Sequence, residues 1–259
     1  MRSSSSTPPE ARSTRPRLLA SVTDASEALA ALGAGVDVLD LKDPAAGALG
    51  ACPPQVLRAV VRLRETHDPG TTRPAVSAAI GDLQDDGAPG LMALAAAGAC
   101  ACGVDFVKVG VRFVDPDRAV AALHAVARAV REVGGTTRII AATYVDLAAT
   151  GAACEPEALV AIAARAELDG CLVDTAIKDG RTLFNHATPD RLARFVTACR
   201  GAGLLCALAG SIRLEDLPRA VALGSDYIGA RGALCTGGRS GRLDAGRVRA
   251  FNAAIRSAL

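Results

Sequence analysis

The chain has 259 residues, 50% hydrophobic and 22% charged, which supplies one barrel-sized core and excludes wholesale disorder. A formal net charge of +2 and an aromatic content of 3%, without tryptophan, exclude a general nucleic-acid binder, which needs a basic field and stacking platforms. No apolar run reaches the ~18 residues of a membrane span, and the N-terminus lacks the apolar segment of a signal peptide, so a cytoplasmic protein is expected.

Residues 1–16 (MRSSSSTPPEARSTRP) read as a disordered tail, polar and proline-punctuated; residues 17–259 read as one catalytic domain. Short apolar runs then alternate with stretches of helical periodicity. The runs fall at 17–22, 36–42, 75–80, 105–110, 138–144, 169–175, 204–211 and 226–231. Thr23-Asp24 opens the first predicted helix and Gly33 stops it, and Pro53-Pro54 opens the second, through Arg64. Residues 87–101 make the third, and Asp115-Pro116 opens a helix that Gly134-Gly135 end. Glu155-Pro156 and Thr188-Pro189 open two more, and 213–223 and 244–258 complete the set. Eight strand–helix units with near-continuous apolar strands predict a single (β/α)8 TIM barrel. The first strand ends in SVTDASE with no GxGxxG, which disfavours a dinucleotide fold.

The cysteines and histidines carry no constellation. Cys52, Cys154, Cys171, Cys199, Cys206 and Cys235 stand alone, Cys100 and Cys102 lie in an alanine-rich helix, and His67, His124 and His186 are far apart. Buried reduced thiols are expected, with no metal and no organic cofactor.

The lysines are different. Of 29 basic residues 26 are arginine, and the three lysines are Lys42, Lys108 and Lys178. An amine can deprotonate and attack a carbonyl, which a guanidinium cannot. Lys42 ends the second predicted strand, Lys108 lies near the end of the fourth, and Lys178 follows the sixth. All three therefore belong to the catalytic rim of a barrel. Asp40 shares a strand face with Lys42, and Asp174 ends the sixth strand four residues before Lys178. Tyr144 and Asp146 close the fifth strand; Asp43 and Asp146 read equally well as caps. Crowding by other cations and desolvation lower a lysine pKa, free its amine for imine formation and leave a second lysine to move protons. After the seventh strand come Gly210 and Ser211, and after the eighth Gly229, Arg231 and Gly232, with Arg239 and Arg242 adding charge. Loops at these positions in barrels commonly bind phosphate, so a small phosphorylated aldehyde or ketone is the expected substrate.

Residues 36–50 (VDVLDLKDPAAGALG), 105–110 (DFVKVG), 172–184 (LVDTAIKDGRTLF), 206–212 (CALAGSI) and 229–238 (GARGALCTGG) resemble the (5-formylfuran-3-yl)methyl phosphate synthase family. That family is also called 4-(hydroxymethyl)-2-furancarboxaldehyde-phosphate synthase. The resemblance runs from about Leu18 to the C-terminus. It implies a TIM-barrel lyase that condenses two molecules of glyceraldehyde 3-phosphate into a phosphorylated furan aldehyde, with loss of one phosphate and water. It further implies the imine at Lys42, a proton acceptor at Lys108, active-site places for Asp174 and Lys178, and a product used in methanofuran-type cofactor biosynthesis. Asp43 replaces the asparagine common in archaeal members, and the polar N-terminal extension is additional; neither touches an amine. The rivals are another Schiff-base aldolase, a cofactor-free sugar-phosphate isomerase, and a non-catalytic phosphometabolite-binding protein. Alanine-rich helices are compatible with a homo-oligomer.

Overall fold

In the computed structural model, which describes residues 15–67, 73–84, 88–112 and 115–258, eight parallel strands close into a barrel in sequence order. The strands are β1 (Arg17–Val22), β2 (Val38–Leu41), β3 (Ala75–Gln84), β4 (Phe106–Arg112), β5 (Arg138–Tyr144), β6 (Gly170–Asp174), β7 (Leu205–Leu208) and β8 (Tyr227–Ala230), and β8 pairs back onto β1. Around them run α1 (Ala25–Leu32), α2 (Pro54–Thr66), α3 (Pro89–Ala101), α4 (Pro116–Val133) and α5 (Val145–Ala148). The ring continues with α6 (Pro156–Arg165), α7 (Leu183–His186), α8 (Pro189–Gly201), α9 (Leu217–Ala222) and α10 (Ala245–Ser257). The (β/α)8 architecture expected from the alternating pattern is the one found.

Local chemistry sets the boundaries. Asp24, Asp115, Thr188 and Asp244 cap α1, α4, α8 and α10 by accepting backbone N–H groups of the first turn. Proline sits in the first turn of α2, α3, α4, α6 and α8, where its missing N–H costs nothing. Two expectations need correction. The helix expected at 213–223 divides into a 3-10 turn over 214–216 and α9, whose first turn holds Pro218. The third strand extends beyond residue 80 to Gln84, because Gly81 takes a φ of +105° and the register shifts between Ala79 and Asp82 instead of the strand ending. Of the predicted tail, residues 1–14 lie outside the described residues, whereas Arg15 reaches Asp37 at 3.3 Å beside β1.

Alternation along each strand separates two apolar layers. Outward-facing Leu18, Leu39, Val107, Cys171 and Ile228 pack against the helices, while Leu19, Val38, Phe106, Ile140, Leu172 and Tyr227 fill the barrel interior. Phe106 and Tyr227 meet edge-to-face with centroids 6.0 Å apart. Arg138 and Arg17 stack over them at 5.3 and 4.7 Å. This plug at the N-terminal end of the strands is the floor on which the polar layer above it rests. Among the described residues, no helix is long and apolar enough to cross a membrane.

Candidate active site

At the C-terminal ends of the strands the interior positions turn polar. Lys42 follows β2 directly, two residues beyond Asp40 and on the same face; Lys108 lies in β4, two residues above the Phe106 plug; Asp174 is the last residue of β6. These residues and Lys178 line a single cavity of about 530 Å³. Lys42, Lys108, Asp40 and Asp174 are all buried.

The charges are paired with one exception. Lys108 Nζ lies 2.5 Å from Asp40 Oδ1, and Ser21 Oγ donates to Asp40 Oδ2 at 3.1 Å. Lys178 Nζ donates to Asp174 Oδ1 at 2.9 Å and to Thr175 Oγ1 at 3.0 Å. The Lys42 Nζ has no hydrogen-bond or ion-pair partner among the described residues. Burial pushes its ammonium down to about 8, opposed by the fields of Asp174 and Asp40 and reinforced by Lys108 and Lys178. Burial also opposes ionisation of Asp174, but Lys178, Lys42 and the Thr175 N–H outweigh it and hold the carboxyl below its usual range.

The loop that carries Lys178 is shaped by a residue the sequence left undecided. Asp146 accepts the Ala176 and Ile177 N–H groups at 2.9 and 2.7 Å, so its task is to hold the segment after β6. Tyr144 donates to Asp82 Oδ1 at 2.5 Å. A Cβ on Gly110 would collide with the Asp82 carboxylate and crowd the phenol, so glycine there makes room for the pair. Burial raises both the Asp82 carboxyl and the Tyr144 hydroxyl. Asp82, Ser21 and Glu27 were not singled out in the sequence. Period two from Leu19 marks Ser21 as inward, and Gly81 within the strand is the one sequence signal for the shift that carries Asp82 to the rim.

Gly210, Ser211, Gly229, Arg231 and Gly232 also line the cavity. Gly210 and Ser211 have positive φ (+113° and +53°), an unusual conformation for serine. The N–H groups of Gly210, Ser211, Gly232 and Ala233 have no acceptor among the described residues. Loop amides left without acceptors along one cavity suit an anion. Gly229 faces Ala209, whose Cβ would lie 3.1 Å from a side chain added there.

Arg231 is not available in the way its position suggested. Its Nη atoms donate to both Glu27 carboxylate oxygens (2.9 and 3.4 Å), to the Ser21 carbonyl (3.0 Å) and to the Gly241 carbonyl (3.2 Å), and Nε donates to the Arg239 carbonyl (2.9 Å). Every N–H of the guanidinium is used. Arg231 therefore fastens the 235–242 loop to β1 and α1 and reaches a ligand only by breaking those bonds. Burial raises the Glu27 carboxyl, but bonding to Arg231 outweighs it and holds the group below its usual range. Arg242 is directed outward, exposed and bonded to Ser26. Among the described residues no group of His, Cys, Asp or Glu is arranged to hold a metal ion.

Fold and site together define a (β/α)8-barrel enzyme whose strand-end cavity carries three lysines beside two buried aspartates. The profile of 4-HFC-P synthase matches residues 18–252, and the chain belongs to that family. It is 40% identical over 230 residues to the (5-formylfuran-3-yl)methyl phosphate synthase of Methanopyrus kandleri, covering 88% of this chain and 93% of that one. It is 39% identical over 241 residues to a putative synthase of the same name from Streptomyces griseus, covering 91% and 93%. Among solved structures, KGPDC from Streptococcus mutans superposes with a TM-score of 0.63 at 15% identity, over 93% of this chain and 98% of that one. Deoxyribose phosphate aldolase from Aeropyrum pernix gives 0.62 at 13% identity, over 93% and 90%. At these identities the likeness concerns the fold. The chain is an enzyme of the synthase, lyase-type class.

Proposed function

We propose that this synthase condenses two molecules of glyceraldehyde 3-phosphate into 4-(hydroxymethyl)-2-furancarboxaldehyde phosphate through an imine on Lys42. The observation that carries the reading is the solitary buried amine of Lys42, with a pKa of about 8, between two lysine–aspartate pairs. The neutral amine adds to the carbonyl of one triose phosphate and water leaves, giving the imine. The imine acidifies the adjacent C–H. Lys108 takes that proton after passing its own to Asp40 across 2.5 Å, so the pair acts as one proton-transfer unit. The resulting enamine expels the C3 phosphate with its bonding pair, leaving an enol whose CH2 carbon attacks the ketone of the second triose, which a 1,2-proton shift has converted to its ketose isomer. Lys178 and Asp174 protonate departing oxygens during dehydration and ring formation. The sum is one furan aldehyde phosphate, one inorganic phosphate and two waters, with no net oxidation. The amides of Gly210, Ser211, Gly232 and Ala233 hold a substrate phosphate. The product is of the kind used in methanofuran-type cofactor assembly, and buried thiols outside any disulfide, such as Cys52, Cys154 and Cys235, suit the reducing cytoplasm.

The test is intact mass after incubation with glyceraldehyde 3-phosphate and borohydride, followed by peptide mapping. An adduct on Lys42 that disappears in Lys42→Ala supports the imine. Substrate consumption with no lysine adduct favours an isomerase, and an acyclic product lacking furan absorbance favours a simple aldolase.

A further inference from the structure

A cavity that condenses two phosphorylated trioses must receive a phosphate from each, and the amides of the β7 and β8 loops account for one. Among the described residues, seven basic side chains line the cavity against three acidic ones, so charge for a second is present. Most of it is committed. Lys108 and Lys178 are paired with aspartates, Arg231 is used up, and Arg213 bonds the Gly180 carbonyl at 2.6 Å and Glu215 at 3.5 Å. Arg247 stands exposed on α10.

Arg239 differs from all of these. Its backbone packs beside Gly232, with its N atom 3.7 Å from where a Cβ would stand. Its side chain leaves the β8 loop and donates from Nη2 to the Gly47 carbonyl at 2.8 Å, in the loop that follows Lys42. That is its one side-chain hydrogen bond, and no carboxylate pairs with it among the described residues. The guanidinium is half-buried, and burial lowers its pKa against the more distant field of Asp174. A desolvated guanidinium with most of its N–H fork uncommitted matches a phosphate in charge and in planar geometry. Its side chain also carries it from the amide-lined wall to the Lys42 side of the mouth.

We propose that Arg239 seats the phosphate of the second triose, the one the product keeps, separately from the amide-lined seat of the first. The inference rests on the two-triose reading above. The imine-bound first triose gives its C2 proton to the Lys108–Asp40 unit, and the electron pair passes through the enamine to become the C2=C3 bond. The C3–O bond breaks with its pair going to the departing phosphate, and the CH2 carbon so formed attacks the ketone of the second triose, whose phosphate the guanidinium holds in place.

The experiment compares wild type with Arg239→Gln and Arg239→Lys in three readouts: furan formation, phosphate release, and the mass of the borohydride-trapped Lys42 adduct against glyceraldehyde 3-phosphate concentration. Arg239→Gln is expected to form the three-carbon adduct with unchanged half-saturation and to accumulate it. Furan formation and phosphate release fall about 10- to 100-fold, with Arg239→Lys in between. An unchanged thermal midpoint checks the fold. Turnover equal to wild type in Arg239→Gln overturns the proposal. Loss of the three-carbon adduct also overturns it, by placing Arg239 at the first triose. Wild type that makes furan without any adduct defeats the imine reading instead, and the seat is then judged by turnover and phosphate release alone.

Discussion

Lys108 Nζ and Asp40 Oδ1 are 2.5 Å apart, and their side chains are 3% and 0% exposed. A contact this short between groups this buried is costly to disrupt from one side. Asp40→Asn leaves an ammonium in the barrel interior facing an amide, and Lys108→Met leaves a carboxylate there. Each single variant is expected to lose about 3–5 kcal/mol of stability. The double variant Lys108→Met/Asp40→Leu is expected to recover much of that loss while remaining inactive. Denaturant titration of the four proteins beside a furan absorbance assay checks this. Equal activity in the double variant and wild type removes the pair from the chemistry.

Lys42 governs the pH response. Imine formation needs the neutral amine, so the initial rate of adduct formation on Lys42 is expected to rise tenfold per pH unit below about 8 and level off above. The same depression acts on stability. Between about 8 and the ordinary 10.5, the unfolded chain binds a proton that the folded chain does not, so stability rises with pH across this window. Below about 8 the cost of charging a buried lysine is present in full. The gap corresponds to roughly 3 kcal/mol. Lys42→Met should be more stable than wild type at pH 7 by up to that amount and should lose the slope above pH 8, as chemical denaturation at a series of pH values will show.

Asp146 shapes the site at one remove. Its carboxylate accepts two N–H groups of the segment that delivers Lys178 to Asp174. Asp146→Ala is expected to cost about 1–3 kcal/mol of stability, the penalty of stranding those donors. Turnover should fall through misplacement of Lys178, while the Lys42 adduct still forms. Asp146→Asn keeps an acceptor oxygen and should recover part of the turnover.

Gly110 is a requirement of space. An added methyl would overlap the Asp82 carboxylate held by Tyr144. Gly110→Ala should destabilise the barrel by about 1–3 kcal/mol through overpacking. The pairing of Gly110→Ala with Asp82→Ala, which empties the space, should be less destabilising than the sum of the two. A strictly additive pair of thermal or denaturant shifts contradicts this account.

The barrel was legible because its information is local and repetitive. Apolar runs such as 138–144 and 17–22 recur between helices opened by proline or an Asp/Thr cap, and each unit tells the same story. The lysines were legible for another reason. In a chain that writes nearly every positive charge as arginine, Lys42, Lys108 and Lys178 stand out in composition, and the strand count alone puts them at one rim.

Only the closed barrel decided which charges meet and which remain free. Glu27 on α1 and Arg231 after β8 are 204 positions apart, yet their pairing, with the carbonyls of Ser21, Arg239 and Gly241, exhausts a guanidinium that sequence position had offered to a phosphate. Asp82 reached the rim through a register shift at Gly81, where a glycine inside an apolar strand permits the irregularity without saying that the strand continues past it. Arg239 keeps most of its N–H groups free because no carboxylate among the described residues pairs with it. The residue types and their order along each strand came from periodicity, which is a property of the chain. The partners came from closure, which brings β8 against β1 and fixes which buried charges meet a neutralising neighbour and which, like Lys42, do not.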